Sequence, residues 1–339
     1  MTLHDLGCVV HVHSTRSDGT ATVPEIAADA RATGAGAVLV TDHDAVAPGA
    51  GWHDGVLVVS GCEVSLPRGG HFLAFGIDHP IRHRGLDAAA VPGAVAAAGG
   101  FGFAAHPFAR GRLNPPPWPA LHADGVTGIE VWNLASDVLD DVHSPGAALR
   151  FLLRPDHVLD RGPPAANLAA WDRLAARRAT AGIAGLDAHQ IGVRVGRRVL
   201  SPVPNRRWFG WLRTHLLLAA PPAGEYARDR ALVLDTLARG RAWLHRPPAG
   251  PADGARLWLA RAGAPDVPLG AEGPAGPATL RLELPRRAEV RVLRDGAQIA
   301  RRAGVCELVL DVEAPGAYRV EAHRDGRAWL YSNPVYLRD

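Results

Sequence analysis

Short apolar runs alternate with helix-forming segments along the first 190 residues of the chain. Runs of this length, rich in Val, Leu, Ile and Phe, predict buried strands. They cover residues 8–12, 37–41, 56–60, 72–77, 101–105, 128–132 and 182–186. Helix-forming segments lie between several of them, at residues 24–32, 86–98 and 167–178. This alternation predicts parallel strands joined by crossover helices, in an α/β barrel or a layered sheet.

Two stretches do not follow this pattern. Residues 135–166 contain repeated prolines, which interrupt regular structure, and we interpret them as an excursion that covers one mouth of the barrel. Residues 190–225 are rich in Arg, Trp and Pro and do not predict a clear element. Residues 229–239 predict a helix that ends at Gly240.

The composition changes after residue 246. A Pro- and Gly-rich stretch over 247–254 predicts a linker. Beyond it, short runs are separated by turn sequences such as Arg294-Asp295-Gly296 and Arg324-Asp325-Gly326. These runs cover residues 256–259, 278–284, 289–293, 306–312, 317–322 and 329–336. We therefore predict a first domain over 1–246 and a small β-sandwich domain over 255–339.

Composition and charge narrow the class of protein. Arg supplies all 37 basic residues against 34 acidic ones, so the near balance predicts no nucleic-acid partner. The three cysteines form no CxxC pair, which argues against a disulfide framework. The first residues do not resemble a signal peptide, and no apolar stretch is long enough to span a membrane. We expect a cytoplasmic protein without a membrane partner, and its oligomeric state stays open.

Polar residues with metal-binding side chains follow nearly every predicted strand. His11 and His13 end the first strand, where a period of two places both imidazoles on one face. In barrels, the residues at the carboxyl ends of the strands meet at one mouth. The residues that we expect to meet there are His11, His13, Asp18, Asp42, His43, Glu63, His71, His106, Asn133, Asp187 and His189.

This constellation predicts a metal centre. A single buried histidine is usually only hydrogen-bonded, but burying so many polar groups without partners costs about 1–3 kcal/mol each. Metal coordination removes that cost. The set exceeds what one ion needs, and Glu63 has two oxygens that can bridge two ions. We therefore predict two or three divalent transition ions, of Mn, Fe or Zn.

The order and spacing of these motifs resemble those of a known family, the PHP domains (polymerase and histidinol phosphatase), which are metallo-phosphoesterases. The resemblance covers about residues 5–245. It rests on His11-Val12-His13 with Ser17-Asp18-Gly19, on Thr41-Asp42-His43-Asp44, on Gly61-Cys62-Glu63, on Ala105-His106-Pro107 and on Gly185-Leu186-Asp187-Ala188-His189. Three further features resemble the CehA/McbA-type metallohydrolase branch, namely Trp171-Asp172-Arg173-Leu174, the Gly240-Arg241 turn and the closing Tyr331-Ser332-Asn333-Pro334-Val335-Tyr336.

The resemblance implies a distorted seven-stranded β/α barrel with a dinuclear or trinuclear site. It implies that His11, His13, Glu63 and Asp187 hold a first ion. Glu63 and His106 would hold a second, with Asn133 where some members place a histidine and His71 as a further ligand. Asp18, His43 and His189 would hold a third. Asp42 would orient His43 or another ligand.

The predicted function is a phosphoesterase that acts on a small phosphomonoester or phosphodiester. Its reaction would be in-line attack on phosphorus by a hydroxide that bridges two ions. Arg110 is the first candidate for a contact with the substrate phosphate, and Arg16 is the second. Two alternatives stay open: a carboxylic-ester, carbamate or amide hydrolase, and a non-catalytic metal-binding protein. An Arg at the scissile group would favour the phosphoesterase, whereas an apolar pocket without one would favour the first alternative.

Overall fold

The protein is a mixed α/β chain. Its computed structural model describes residues 3–67, 70–110, 114–142, 144–190, 192–196, 198–201 and 203–339. The α-helices in these ranges are α1 (Val23–Ala32), α2 (Val91–Ala97), α3 (Leu134–Asp141), α4 (Pro145–Leu153), α5 (Ala165–Ala175), α6 (Asn205–Trp208) and α7 (Tyr226–Ala238). Two short 3₁₀ helices cover Pro155–Arg161 and Pro247–Ala249. None of the helices described is long and apolar enough to cross a membrane.

Each of the apolar runs predicted in the first 190 residues forms a strand. The strands described up to residue 245 are β1 (His4–Val12), β2 (Ala37–Val40), β3 (Gly51–His53), β4 (Val56–Ser60), β5 (Cys62–Leu66), β6 (Gly70–Phe75), β7 (Phe101–Ala104), β8 (Val126–Asn133), β9 (Ala181–Gly185), β10 (Val193–Val195), β11 (Arg198–Leu200), β12 (Arg213–Leu218) and β13 (Ala242–His245). The first sheet contains the order β13-β12-β1-β2-β4-β3, and the second has the order β5-β6-β7-β8-β9.

The prediction of parallel strands is right for only part of these sheets. β1, β2 and β4 are parallel, as are β7, β8 and β9. In contrast, β5, β6 and β7 form an antiparallel meander, and β12 and β13 are antiparallel to their neighbours. Connection length explains the pairing of β5 with β6, because no helix separates them and a crossover needs about a dozen residues. It does not explain the pairing of β6 with β7, which are antiparallel although α2 lies between them.

Backbone hydrogen bonds join the two sheets at two places. The amide of Leu186, just after β9, donates to the carbonyl of Val10 at 2.9 Å. At the other side, the amide of Glu63 in β5 donates to the carbonyl of Asp42 at 3.0 Å. Apart from the β10–β11 pair, the described strands form two ladders rather than one closed ladder, so the seven-stranded barrel stays a prediction.

The excursion over 135–166 is more regular than its prolines predict. α3, α4 and a 3₁₀ helix occupy most of it. Pro145 is the first residue of α4, where it does not interrupt the helix because the first amides of a helix have no partner within it. The hydroxyl of Ser144 caps this helix by accepting a hydrogen bond from the Ala147 amide at 3.2 Å. Its prolines therefore mark the start of a helix rather than an interruption.

The last part of the chain consists of strands, as predicted. They are β14 (Arg256–Ala260), β15 (Val267–Pro268), β16 (Glu272–Pro274), β17 (Ala278–Arg294), β18 (Ala297–Val312), β19 (Gly316–Arg324), β20 (Arg327–Ser332) and β21 (Val335–Arg338). The two Asp-Gly sequences form hairpin turns, in which Asp295 and Asp325 have φ values of 51° and 50°. The apolar cluster of this module also includes Leu217 of β12 and Trp243 of β13. The description of the module as a sandwich stays a prediction.

The C-terminal module shares a sheet with the rest of the molecule, because β20 pairs with β13. The guanidinium of Arg319 binds both carboxylate oxygens of Asp172 on α5, at 2.6 and 2.8 Å. The side chain of Asn333 donates to the carbonyl of Gly182 and accepts from its amide. Asp172 and Asn333 therefore lie in the contact between the two parts of the chain.

Candidate metal centre

A bulge at the end of β1 brings two histidines to one point. The pairing of β1 with β2 shifts register between Val10 and Val12, and His11 between them has a φ of 65°. Bulges of this kind re-aim side chains and are common beside active sites. The Nε2 atoms of His11 and His13 lie 3.2 and 3.1 Å from Oε2 of Glu63. The strand period alone therefore does not explain how the two rings come together.

Glu63 occupies the centre of the cluster and is completely buried. Its position on β5 follows from the backbone hydrogen bonds that β5 makes with the segment after β2. Both of its carboxylate oxygens face imidazole nitrogens. Oε2 lies within 3.3 Å of His11, His13 and His43, and Oε1 lies within 3.3 Å of His71 and His106.

Asp187 closes the first group from the opposite sheet. It lies two residues after the end of β9 and has a φ of 54°, a conformation that few residues other than Gly adopt. Its Oδ1 lies 3.4 Å from His11 Nε2 and 3.2 Å from His13 Nε2. His106 has the same left-handed backbone, with a φ of 28°. Such conformations concentrate at functional sites, where the surrounding structure holds them in place.

A second group lies next to the first and is more exposed. Oδ2 of Asp18 lies 3.2 Å from His189 Nε2 and 3.6 Å from His43 Nε2. The ring of His189 stacks on that of His13, with centroids 4.0 Å apart. The ligand atoms of His13, Asp18, His43 and His189 all lie within 4.8 Å of one another. The same holds for His11, His13, Glu63 and Asp187, and for His43, Glu63 and His71.

The chemistry of these residues fits divalent metal ions. His11 Nε2, His13 Nε2 and Glu63 Oε2 are buried and have no hydrogen-bond partner in the described residues. A buried polar atom without a partner is rare and costly, yet three of them face one another here. Imidazole nitrogens and carboxylate oxygens are ligands that Mn, Fe and Zn accept.

The charges in the cluster depend on one another. Burial alone would lower the pKa of His13, but its contacts with Asp187 and Glu63 raise it to about 9. Burial alone would raise the pKa of Glu63, but the nearby imidazoles, His11 foremost, hold it well below its usual range. Protons on the rings thus balance the carboxylates. A divalent ion can replace those protons, since metal ligands must be deprotonated.

Glu130 is a functional residue that the sequence analysis missed. It lies inside β8, is completely buried, and its Oε1 accepts a hydrogen bond from His11 Nδ1 at 2.9 Å. Its Oε2 accepts from the backbone amide of His106 and from the side chain of Asn133, both at 2.8 Å. A β-carbon at Gly185 would collide with this carboxylate. Its signal in the sequence is a single charged residue inside an apolar strand, whereas the predicted ligands lie at strand ends.

Asp42, expected to orient His43 or another ligand, lies against the turn after β1. Its buried carboxylate accepts hydrogen bonds from the amide and hydroxyl of Ser14, at 2.8 and 2.7 Å, and from those of Ser17. Nδ1 of His43 instead lies 2.7 Å from the hydroxyl of Ser65. Asp42 therefore fixes the turn after β1, which carries Asp18.

Asn133 has a structural role in addition to its position near the site. Its Oδ1 accepts a hydrogen bond from the Ser136 amide at 2.8 Å and so caps α3. Its Nδ2 donates to Glu130. Both ends of the amide are thus engaged, whereas His71 reaches Glu63 Oε1 directly, with Nδ1 at 2.8 Å. This arrangement favours His71 over Asn133 as the ligand.

The two candidate phosphate contacts, Arg110 and Arg16, are both exposed. The backbone amide of Arg110 donates to Asp140 at 3.0 Å, which attaches its loop to α3. The structure describes no contact between either guanidinium and the histidine cluster, so their predicted role is not supported by contacts.

No protein-family model and no curated protein matches this chain. Several solved structures resemble it. One is a two-domain protein from Bacteroides vulgatus that contains a predicted PHP-like metal-dependent phosphoesterase; it shares 15% identity over 98% of this chain and 96% of that one, with a TM-score of 0.42. Another, from Bifidobacterium adolescentis, is described as a metal-dependent phosphoesterase and shares 19% identity over 57% and 92%, with a TM-score of 0.38. A third is endonuclease Q bound to a DNA duplex, with 16% identity over 67% and 57% and a TM-score of 0.38.

Proposed function

We propose that this protein is a metal-dependent hydrolase and that its first substrate class is small phosphoesters. The observation that carries the proposal is the set of buried ligand atoms without hydrogen-bond partners, His11 Nε2, His13 Nε2 and Glu63 Oε2. Among the described residues these atoms meet only one another, Asp187 Oδ1 and His43 Nδ1, at 3.1–3.4 Å, and a divalent ion placed among them suits this donor chemistry.

We assign the ligands to three positions. His11, His13, Glu63 and Asp187 hold the first ion. His71, His106 and Glu63 hold the second, since both rings lie beside Oε1 of Glu63. Asp18, His43 and His189 hold the third, next to the stacked ring of His13.

Ions bound there would activate water at neutral pH and offset the charge that develops on the ester oxygens. The chain's own residues prepare the site. Glu63 supplies the negative charge that allows cations to approach each other. Glu130 fixes the orientation of His11 through Nδ1 and leaves Nε2 free for a ligand bond. Asp42 holds the Ser14 and Ser17 turn, so that Asp18 faces His43 and His189.

A second candidate function is hydrolysis of a carboxylic ester, carbamate or amide. One observation favours it: none of the described residues that line the pocket over the histidine cluster is an Arg. A phosphate group is usually met by Arg or Lys as well as by metal, whereas an acyl group does not require such a partner. In both candidates the same side chains hold the ions.

We also propose membership of the PHP-like metallohydrolases, with the CehA/McbA-type branch as the finer assignment and a distorted seven-stranded barrel as the fold. The five ordered motifs of the first 190 residues support membership of the PHP-like metallohydrolases. The segments around Asp172 and Asn333 support the CehA/McbA-type branch.

The test uses the full chain, stripped of metal and reconstituted with Mn, Fe or Zn. p-Nitrophenyl phosphate, bis(p-nitrophenyl) phosphate and p-nitrophenyl acetate are assayed side by side, and bound metal is measured by elemental analysis. We expect two or three ions per chain and metal-dependent hydrolysis of a phosphoester. Fewer than one ion per chain after reconstitution, or equal hydrolysis by metal-free protein, would overturn the proposal.

A further inference from the structure

The histidine cluster forms the floor of a pocket of about 550 Å³. A volume of this size lies within the usual range for small-molecule sites. Five residues of the cluster line the floor, namely Asp18, His43, His71, Asp187 and His189. A substrate that reaches these residues must therefore place its remaining atoms against the pocket wall.

The wall is predominantly apolar. α3 contributes Val138 and Leu139, α4 contributes Phe151, and α6 contributes Trp208. Because α3 and α4 belong to the excursion between β8 and β9, this surface is separate from the strands that carry the ligands. Its apolar side chains offer dispersion contacts and burial rather than hydrogen bonds.

Part of the hydrogen-bonding capacity of the two polar wall residues, Gln190 and Asn114, is used within the protein, while Oδ1 of Asn114 is buried without a partner among the described residues. Oε1 of Gln190 accepts a hydrogen bond from the Asn205 amide at 3.0 Å. Nδ2 of Asn114 donates to Asp140 Oδ1 at 2.6 Å. A sugar or nucleoside would bring several hydroxyl groups to this wall, and each hydroxyl left unpaired costs binding free energy. The described wall thus favours a substrate with few hydroxyls.

We propose that the substrate is an ester whose other half is an apolar group, aliphatic or aromatic, which the Val138, Leu139, Phe151 and Trp208 wall buries. This inference rests on the proposed hydrolase function and specifies its substrate class. The ester group occupies the floor, and the apolar group determines which esters react efficiently.

A series of primary alkyl phosphates tests the proposal in the metal-loaded full chain. Ethyl, butyl and hexyl phosphate have leaving groups of similar basicity, so differences in kcat/KM report burial of the chain. We expect kcat/KM to rise by up to about fourfold per methylene, the factor that corresponds to ~0.8 kcal/mol. Glycerol 3-phosphate, whose alkyl part carries hydroxyls, should be a poorer substrate than butyl phosphate.

Variants of two exposed leucines test whether the pocket wall causes the dependence of kcat/KM on chain length. Leu139 is 38% exposed, so Leu139→Asn should fold, and we expect the hexyl-to-ethyl ratio of kcat/KM to fall at least tenfold. Leu139→Trp, which fills the pocket, should shift the preference towards shorter chains. Leu149 lies on α4, is 57% exposed and is absent from the described lining. Leu149→Asn is therefore the matched control, and its ratio should stay unchanged.

Binding of non-hydrolysable ethylphosphonate and hexylphosphonate, measured by calorimetry, separates this inference from the function on which it rests. If no ester is hydrolysed but hexylphosphonate binds at least tenfold tighter, and Leu139→Asn abolishes that difference, the pocket assignment holds and the hydrolase proposal fails. If ethyl phosphate is hydrolysed but rates and affinities do not rise with chain length, the inference is overturned and the hydrolase proposal stands. If neither phosphonate binds and no ester reacts, both are overturned.

Discussion

Glu63 is the single residue on which the proposed metal centre depends most. Five imidazole rings surround its buried carboxylate, and its two oxygens face different rings. Glu63→Gln keeps the size but removes the charge that offsets the repulsion between cations. We expect the loss of at least one ion per chain, measured by elemental analysis, and a fall in kcat of several orders of magnitude.

Glu25 provides the matched control. It lies in the first turn of α1, where its carboxylate accepts a hydrogen bond from the Thr22 amide at 2.8 Å. Glu25→Gln should cost about 0.3–1 kcal/mol of helix stability and leave metal content unchanged. If Glu63→Gln kept its full metal content and near-normal turnover, the assigned ligand set would be wrong.

Glu130 yields a prediction of a different kind, since it acts through His11. One of its oxygens accepts from His11, and the other accepts from two N–H groups. A glutamine has only one oxygen, so Glu130→Gln must turn its amide N–H₂ towards donors on one side. We expect a ten- to hundredfold loss of metal affinity, measured by competition with a chelator. Glu272→Gln, at a half-exposed residue of β16, should leave the affinity unchanged.

Among single residues, the sequence predicted those with metal-binding side chains at the ends of apolar strands. His11, His13 and Asp187 belong to that class. It did not reveal the bulge at His11, because a bulge depends on the pairing partner as well as on local sequence. It also missed Glu130, since a carboxylate inside a strand is recognised as functional only when the facing histidine is known.

Asn133, at the start of helix α3, and His71 are expected to differ in role: the first is structural and the second is a metal ligand. Asn133 caps this helix, whereas His71 on β6 contacts Glu63. Asn133→Ala should lower the free energy of unfolding by about 0.5–2 kcal/mol without changing the number of bound ions. His71→Ala should reduce that number. Metal content and denaturant unfolding of both variants provide the measurement, and the opposite pattern would make Asn133 the ligand.

Elements were predictable where one local pattern determines them. α1 has an acidic residue three positions after Thr22, and the apolar runs that form β4 and β7 are short and contain no charged residue or histidine. β12 was not predicted, because Arg213 and His215 interrupt its apolar pattern. Its arginine is buried by hydrogen bonds to the carbonyls of Phe209 and Thr33. Thr33 is distant in sequence and therefore absent from any local pattern.

Strand β13 contains a histidine that makes stability depend on pH. His245 is buried, its Nε2 donates to the Gly250 carbonyl at 2.7 Å, and burial lowers its pKa to about 3. The unfolded chain therefore binds a proton between pH 6.5 and about 3 that the folded chain does not bind. Stability should be complete above pH 6.5 and should fall below it, by on the order of 1 kcal/mol per pH unit.

The measurement is the free energy of unfolding at several pH values between 4.5 and 7.5, for the protein and for His245→Gln. The variant cannot take up this proton, so its stability should depend less steeply on pH in that window. Asp5 has a lowered pKa owing to Arg256 and His215, despite partial burial, and contributes only at lower pH and in both proteins. Equal slopes for both proteins would show that His245 does not contribute.

On the scale of the whole molecule, the C-terminal module completes the structure that supports the metal centre. β20 extends the sheet through β13. The ring of Tyr331 packs against Trp132, which lies in the same strand as Glu130, with centroids 5.7 Å apart. The sequence predicted this module as a separate domain, because its composition changes at the linker. It did not predict that one sheet would pass through both parts, which depends on pairing between distant strands.

This continuity predicts one cooperative unfolding transition for the full chain. Because β13 would lose β20, and Asp172 would lose Arg319, a chain that ends at residue 246 should not fold cooperatively. The unfolding curves measured by circular dichroism and by tryptophan fluorescence should coincide for the full chain and show no sharp transition for the truncated one.

His323→Ala is the control for chemistry. It removes one hydrogen bond to Tyr331, so it should lower the free energy of unfolding by about 1 kcal/mol and leave turnover nearly unchanged. Two separate transitions in the full chain, or a hundredfold loss of turnover in the folded His323 variant, would contradict a purely structural role for this module.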